Sequence, residues 1–207
     1  MNFHAVTTGV FEQICYLAWS DAAKAIVFDP GHDSGEILEF LEKHGLEVAA
    51  YVCTHGHADH INALADVHRV HSAPIAMHSN DWQWAFGPAN QIEPYYPVPK
   101  VPAEETFLPL ESSDEWSFAD LHFRCLQTPG HTPGSCCLLF PKEAVLISGD
   151  TLFKGSCGRT DLPGGDPRRM KESLHKLKQL PDEVRVYPGH GPDTTIGIER
   201  ATNYFMQ

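Results

Sequence analysis

Residues 51–63, YVCTHGHADHINA, put His55, His57, Asp59 and His60 within six residues, directly behind an apolar run. Imidazole and carboxylate are ligands for cations of borderline softness. His55 and His57, two apart on extended chain, project to the same side, and Gly56 lets the backbone tighten between them. Asp59 and His60 lie past the bend and reach a neighbouring position. The same arrangement recurs: the apolar runs RCLQ, VLIS and VRVY lead into TPGHTPGS, GDTLF and PGHGP, which present His131, Asp150 and His190. Polar side chains at strand tips converge on one edge of a sheet, where a rigid core holds them to the tolerance a metal demands. Five imidazoles and two carboxylates suffice for two divalent ions with water in the open positions, and a thiolate-free set suits Zn²⁺ while tolerating Fe or Mn. A lone histidine is more often a surface or satisfied core residue, and His4, His44, His68, His71, His78, His122 and His175 are read that way.

The elements that must position these groups alternate. HAVTTGVF, QICYLAW and KAIVFDPG read as strands. A helix follows, with Asp33 and Glu36 spaced as a capping box, Ile37, Leu38 and Leu41 on one face, and Gly45 closing it. VAAYVC is a buried strand, and INALADVHRV has helical spacing, with Ile61, Leu64, Val67 and His71 roughly in line. From Ser79 to about Pro109 the chain is rich in Pro, Asn and aromatic residues without sustained periodicity, so a long surface excursion is expected there. Its Trp82, Trp84, Tyr95 and Tyr96 make either a locally packed loop or a substrate wall. WSFADLHFRCLQT, SCCLLF and AVLISGD return to strands. A second helix starts at Asp166 with Pro167 in its first turn and buries Met170, Leu174 and Leu177. The strand VRVYPGH and a helical stretch around ERATNYF complete one α/β domain over residues 1–207.

Composition narrows the function. With 27 acidic against 15 basic side chains the formal net charge is −12; no basic cluster offsets it, so neither nucleic acid nor an anionic membrane is an expected partner. MNFHAVTTGVFEQ lacks the features of a signal peptide, and no apolar run approaches the roughly 20 residues of a spanning helix. The six cysteines are scattered with no C-x-x-C spacing. They read as reduced core residues, which points to a cytoplasmic protein.

THGHADH resembles the H-x-H-x-D-H signature of the metallo-β-lactamase superfamily, and TPGHTPGS, SGDTLF and YPGHGP resemble its later ligand motifs, in order along essentially the whole chain. The resemblance implies a four-layer αβ/βα sandwich with a dinuclear site at one edge of its two sheets. It implies His55, His57 and His131 on one metal, Asp59, His60 and His190 on the other, and Asp150 bridging. VFDPG is similar to an acidic turn of the family, so Asp29 either fixes the ligand loops by hydrogen bonds or is a simple turn-former before Pro30-Gly31. The complete His/Asp set argues for a branch other than the β-lactam hydrolases.

GDTLFKGSCGRTDLPGGD is similar to glyoxalase II (hydroxyacylglutathione hydrolase), its shorter bacterial relatives and the persulfide dioxygenases. The implied reaction is hydrolysis of a glutathione thioester such as S-D-lactoylglutathione by a hydroxide that Asp59 aims. The alternatives are persulfide oxidation by one iron on His55, His131 and Asp150, and hydrolysis of a lactone or other ester. Full-length glyoxalase II carries a further C-terminal helical domain with cationic contacts to glutathione, whereas this chain stops soon after His190. Arg159 occupies a position where that pattern has a basic residue, and is either a grip for a substrate carboxylate or an ion-pair partner of Asp161 or Asp166.

Overall fold

The computed structural model describes residues 1–102, 107–111 and 115–207. Strands β1 (Asn2–Thr8), β2 (Gln13–Trp19), β3 (Lys24–Phe28), β4 (Glu47–Val52), β5 (Ile75–Met77) and β6 (Phe107–Pro109) form one sheet in sequential order. The second sheet is built from β7 (Glu115–Phe118), β8 (Leu121–Gln127), β9 (Cys136–Phe140) and β10 (Val145–Gly149). After a small hairpin, β11 (Leu152–Phe153) and β12 (Ser156–Cys157), it is completed by β13 (Arg185–Pro188) and β14 (Thr194–Thr195), in the order β14-β13-β10-β9-β8-β7. Helices α1 (Ser34–Lys43), α2 (Ala58–Ile61), α3 (Leu64–Val70) and α4 (Ser79–Ala85) fall between strands of the first sheet, and α5 (Pro167–Leu177) and α6 (Ile196–Thr202) accompany the second.

Both faces of each sheet are covered, which is why the strands read as continuous apolar runs. Along β2, Tyr16 and Ala18 join Ile26 and Phe28 of β3 and Leu138 and Phe140 of β9 in the core between the sheets. Their neighbours Cys15, Leu17, Ala25 and Val27 face outward against Ile37, Leu41, Leu64 and Val67 of the helices. On the other side Leu139 and Leu146 pack against Met170, Leu174, Leu177 and Ile196. Strand alternation thus divides one apolar sequence between two cores and sets the four αβ/βα layers.

Helix α5 has the expected start: the Asp166 side chain accepts from the backbone N–H of Arg168 (2.8 Å) and Arg169 (3.2 Å). The capping box at α1 does not form. Asp33 adopts φ 48° and makes no side-chain cap; its carboxylate accepts from Gly9 N at 2.7 Å, in the β1–β2 turn. The other end of α1 closes as the sequence suggests, with Gly45 left-handed and the N–H of Leu46 bonded to the Leu41 carbonyl. INALADVHRV is not one helix but the end of α2 and the whole of α3, with Ile61, Leu64 and Val67 buried.

The largest departure is the supposed surface excursion, which carries α4, a 3-10 turn (Pro88–Asn90) and the edge strand β6. Trp82 packs into the outer core of the first sheet, stacked on Phe107 with centroids 4.2 Å apart. A seven-residue helix is too short to show a period over its aromatic neighbours. Residues 103–106 of that stretch lie outside the described residues.

Candidate metal centre

The turns after β4, β8, β10 and β13 bring all seven sequence-selected groups to one edge of the paired sheets. Ring nitrogens of His55, His57 and His131 lie within 4.8 Å of one another, and so do ligand atoms of Asp59, His60 and His190. Asp150 stands between the two groups: its Oδ1 is 3.3 Å from His60 Nε2, and its Oδ2 is 3.5 Å from His131 Nε2 and 3.7 Å from His190 Nε2. The approach is close enough to demand glycine at 189, where a Cβ would meet Asp150 Oδ1 at 2.3 Å. His60 Nε2 and His190 Nε2 are 3.3 Å apart, and His190 Nε2 is 3.4 Å from Asp59 Oδ2. Two ligands on a tetrahedral zinc, at its ordinary bond lengths, are separated by about 3.3 Å.

The outward nitrogens fix which atom each ring presents. His131 Nδ1 donates to the Arg159 carbonyl (2.8 Å) and His190 Nδ1 to the Phe11 carbonyl (2.9 Å). A carbonyl only accepts, so in both rings Nε2 is left with its lone pair facing inward. His60 Nδ1 meets Asp29 Oδ2 at 3.1 Å, and His55 Nδ1 meets Thr54 Oγ at 3.1 Å, the Thr54 hydroxyl itself donating to Asp29. His57 is reversed, its Nδ1 facing His131 Nε2 at 2.8 Å. Two buried atoms at the focus have no well-formed hydrogen bond: His55 Nε2, and Asp150 Oδ1, which meets the His60 ring at ion-pair distance only. His68 Nε2 and Trp116 Nε1, buried elsewhere, also lack partners; what fits a cation here is that the orphaned atoms sit among converging nitrogens and carboxylates.

Electrostatics separate the two groups. Burial, reinforced by the neighbouring imidazoles, drives His55 well below its ordinary value, and burial with His131 beside it takes His57 down to about 3. Burial pushes His60 down as well, but Asp150 and Asp59 overcome it and hold the ring well above its usual value. His190 is raised because the Asp59 bond and the Asp150 charge outweigh burial. The carboxyls of Asp59 and Asp150 are lowered despite burial, chiefly by His60.

Asp29 is buried, its Oδ1 accepting from Thr54 N (2.7 Å) and its Oδ2 from the Thr54 hydroxyl (2.6 Å). Both oxygens are thereby engaged on the loop that carries His55 and His60. Arg159 is exposed and holds Asp161 through two bonds, at 2.7 and 2.8 Å, which brings the Asp161 carboxyl down to about 2. Arg159 lines a cavity that contains none of the seven groups.

Sequence reading missed Asp81 and Asn90. Asp81, fully buried on α4, accepts from Gly56 N (2.9 Å), the Thr132 hydroxyl (2.6 Å) and Gly134 N (2.7 Å), so one carboxylate ties the His55–His57 turn to the His131 turn. Burial pushes this carboxyl up, against the lowering by Thr132 and the backbone donors. Asn90 donates to the Gly56 and Ala85 carbonyls and accepts from Ala58 N. Asp81 shares its buried face of α4 with Ala85, four residues on, a spacing too slight to single it out in the sequence.

A sequence profile of the metallo-beta-lactamase superfamily matches residues 8–190. The chain belongs to that superfamily. It is 34% identical to the probable metallo-hydrolase YqgX of Bacillus subtilis, over 100% of this chain and 98% of that protein. It is 31% identical to the hydroxyacylglutathione hydrolase GloC of Haemophilus influenzae, again over 100% and 98%. Among solved structures it resembles BLEG-1, a B3 metallo-beta-lactamase, with a TM-score of 0.92 and 36% identity over all of both chains. It also resembles TTHA1623 in a di-iron-bound form, with a TM-score of 0.86 and 36% identity over 98% of this chain and 99% of that one.

Proposed function

We propose that the protein is a dinuclear metallohydrolase that cleaves thioesters of the glutathione type, with S-D-lactoylglutathione as the reference substrate. In this reading His55, His57 and His131 hold one divalent ion, Asp59, His60 and His190 hold the second, and Asp150 is shared. The observation that carries it is the orphaned pair, His55 Nε2 and Asp150 Oδ1, buried where the free atoms of the other groups meet. Zinc suits the thiolate-free set, and iron or manganese is accommodated by the same ligands; the likeness to a di-iron-bound protein keeps iron among the ions to test. When bound, such ions lower the pKa of water from about 15.7 towards neutrality and stabilise a developing oxyanion.

The residues of the chain do the rest. Asp59, held at Oδ2 beside His190, accepts a hydrogen bond from the attacking water and orients it. Hydrogen bonds from outside the centre lock the rings of His60, His131 and His190, so these donors need no reorganisation as charge develops. Water's oxygen bonds to the acyl carbon, the carbon–sulfur bond breaks, and the departing thiolate takes up a proton. No serine or cysteine nucleophile is needed, and half-buried Cys157, its pKa raised by burial, is a spectator. Arg159 is the proposed grip for a substrate carboxylate, which would have to displace Asp161. The six free cysteines suit a reducing compartment, so a cytoplasmic location belongs to this reading. Among the described residues no helix is long and apolar enough to cross a membrane.

The similarity to GloC supports the substrate class, and that to BLEG-1 adds a β-lactam to the substrates worth assaying. Elemental analysis of freshly purified protein is expected to find two equivalents of metal, with hydrolysis of S-D-lactoylglutathione and loss of both in His57→Ala. Removing the metal with a chelator lowers the thermal midpoint, and adding it back restores it. Full turnover by His57→Ala overturns the proposal. One iron with oxygen consumption on glutathione persulfide replaces it with the dioxygenase.

A further inference from the structure

His57, one of the seven groups of the candidate centre, stands in the wall of a groove of about 420 Å³, a size suited to part of a small-molecule substrate. The remaining apolar walls come from separate stretches of chain: Trp84 of α4, Ile92 beyond the 3-10 turn, Pro133 beside His131, and Leu162 and Pro163 of the stretch after Arg159. The Trp84 ring meets the His57 ring edge-on, centroids 5.5 Å apart, so the aromatic wall reaches the candidate ligand itself. Of the polar side chains at the groove, Asn90 is engaged with the backbone of the His57 turn, and exposed Gln91 donates through Nε2 to Glu93. Among the described residues no charged side chain lines it. Cations line a different cavity, of about 520 Å³, which holds Arg159 and Lys171.

A glutathione thioester has two unlike halves. The thiol half carries two carboxylates and an ammonium group, and stripping these of water against Trp84, Ile92 and Leu162 without a counter-ion costs far more than the apolar contact returns. The acyl half carries no charge. We therefore propose, resting on the thioester reading, that the groove beside His57 is the acyl pocket, and that the preferred substrates carry an apolar, above all aromatic, acyl group in place of the small hydroxylated lactoyl group. A phenyl ring there has the Trp84 side chain to pack against. The lactoyl hydroxyl would find few side-chain partners on the groove wall, chiefly the His57 ring and the exposed Gln91 amide, a thin polar lining against its apolar surroundings.

The test uses metal-loaded protein and two readouts. Across glutathione thioesters with acetyl, lactoyl, butyryl and phenylacetyl groups, kcat/KM is expected to rise about three- to fourfold per buried methylene. Phenylacetyl should exceed lactoyl by at least about tenfold on the same scale. Trp84→Ala and Leu162→Ala are expected to shrink the phenylacetyl-to-acetyl ratio by about tenfold, in line with the apolar area each removes. Calorimetric binding of the product acids supplies the second readout, phenylacetate binding at least about tenfold more tightly than acetate. In an active enzyme, a flat series or one that favours lactoyl overturns the acyl pocket while leaving the hydrolase in place. If no thioester turns over, the thioester reading falls, and the groove is judged on binding alone: equal affinities for phenylacetate and acetate overturn it.

Discussion

The two halves of the candidate centre are supported from different parts of the molecule. His60 and His190 are oriented by Asp29, at the end of β3, and by the Phe11 carbonyl in the β1–β2 turn. The His190 turn is also joined to β2, with Ile14 N donating to the Gly189 carbonyl at 2.8 Å. His55 and His57 lie on a turn held from below by Asp81 and Asn90, and the His131 turn hangs on the same Asp81. One half thus leans mainly on the strands that open the chain, with Asp29 also reaching His55 through the Thr54 hydroxyl. The other leans on a short helix inserted between β5 and β6. A mutation beneath either half should therefore damage that half first, which makes the division testable.

Asp81→Ala should have the largest effect. It removes the acceptor of two buried backbone N–H groups and one hydroxyl, each costing about 1–3 kcal/mol when left unsatisfied, so a loss of about 3 kcal/mol or more is expected in denaturant unfolding. Asp81→Asn keeps the shape but turns an amide donor towards donors, and should be milder. For that variant, zinc titration should show affinity at the His55/His57/His131 position weakened about 10–100-fold. Adding Asp81→Asn to His57→Ala should then cost little further binding, because the position it supports is already lost. Full additivity in that double variant would mean that Asp81 acts on the whole fold rather than through this half.

Asp29→Asn is expected next, as the counterpart. It keeps an oxygen for Thr54 N but puts an amide where Oδ2 met both His60 and the Thr54 hydroxyl that reaches His55. Binding at the Asp59/His60/His190 position should therefore fall about 10–100-fold, with a smaller loss passed on through Thr54 and a stability cost of about 1–2 kcal/mol. Here most of the loss should persist in His57→Ala and disappear in His190→Ala, the reverse of the Asp81 pattern. The same pattern for both variants would dissolve the distinction between the halves.

The contrast also explains what could be read from the sequence. His55, His57, Asp59 and His60 stand close together behind an apolar run, and His131, Asp150 and His190 each follow a strand at a glycine turn, so spacing and residue type announce them. Asp29 shares that position after a strand. Asp81 follows no strand and neighbours no histidine motif. Its role depends on α4 packing under two turns that lie 25 and 53 residues away, and a contact of that range leaves no local pattern. Trp84 was visible as an aromatic residue, but only the fold shows that it stands over His57. Arg159 illustrates an alternative that the sequence leaves open. Its motif position is compatible with a substrate grip and with an ion pair to Asp161 or Asp166, and only the fold shows that the Asp161 pair forms.

The smallest predicted effect concerns the two acidic helix starts, which look alike in sequence and differ in structure. Asp166 is extended, at φ −147° and ψ 110°, and caps α5, whereas left-handed Asp33 serves Gly9. Asp166→Ala should expose the Arg168 and Arg169 amides to faster hydrogen exchange and lower the thermal midpoint slightly. Asp33→Ala should release the Gly9 amide and leave the first turn of α1 as it was. The sign of the pH dependence follows from the lowered Asp166 pKa, set by its bonds to the Arg169 and Arg168 N–H groups against a small burial effect. A folded-state pKa below the unfolded one means that the native protein binds the proton more weakly. The stabilisation is therefore complete above the unfolded value of about 3.9 and is lost as pH falls through the folded one. The midpoint difference between wild type and Asp166→Ala should accordingly be full at neutral pH and close on acidification; a difference that widened in acid would contradict the cap.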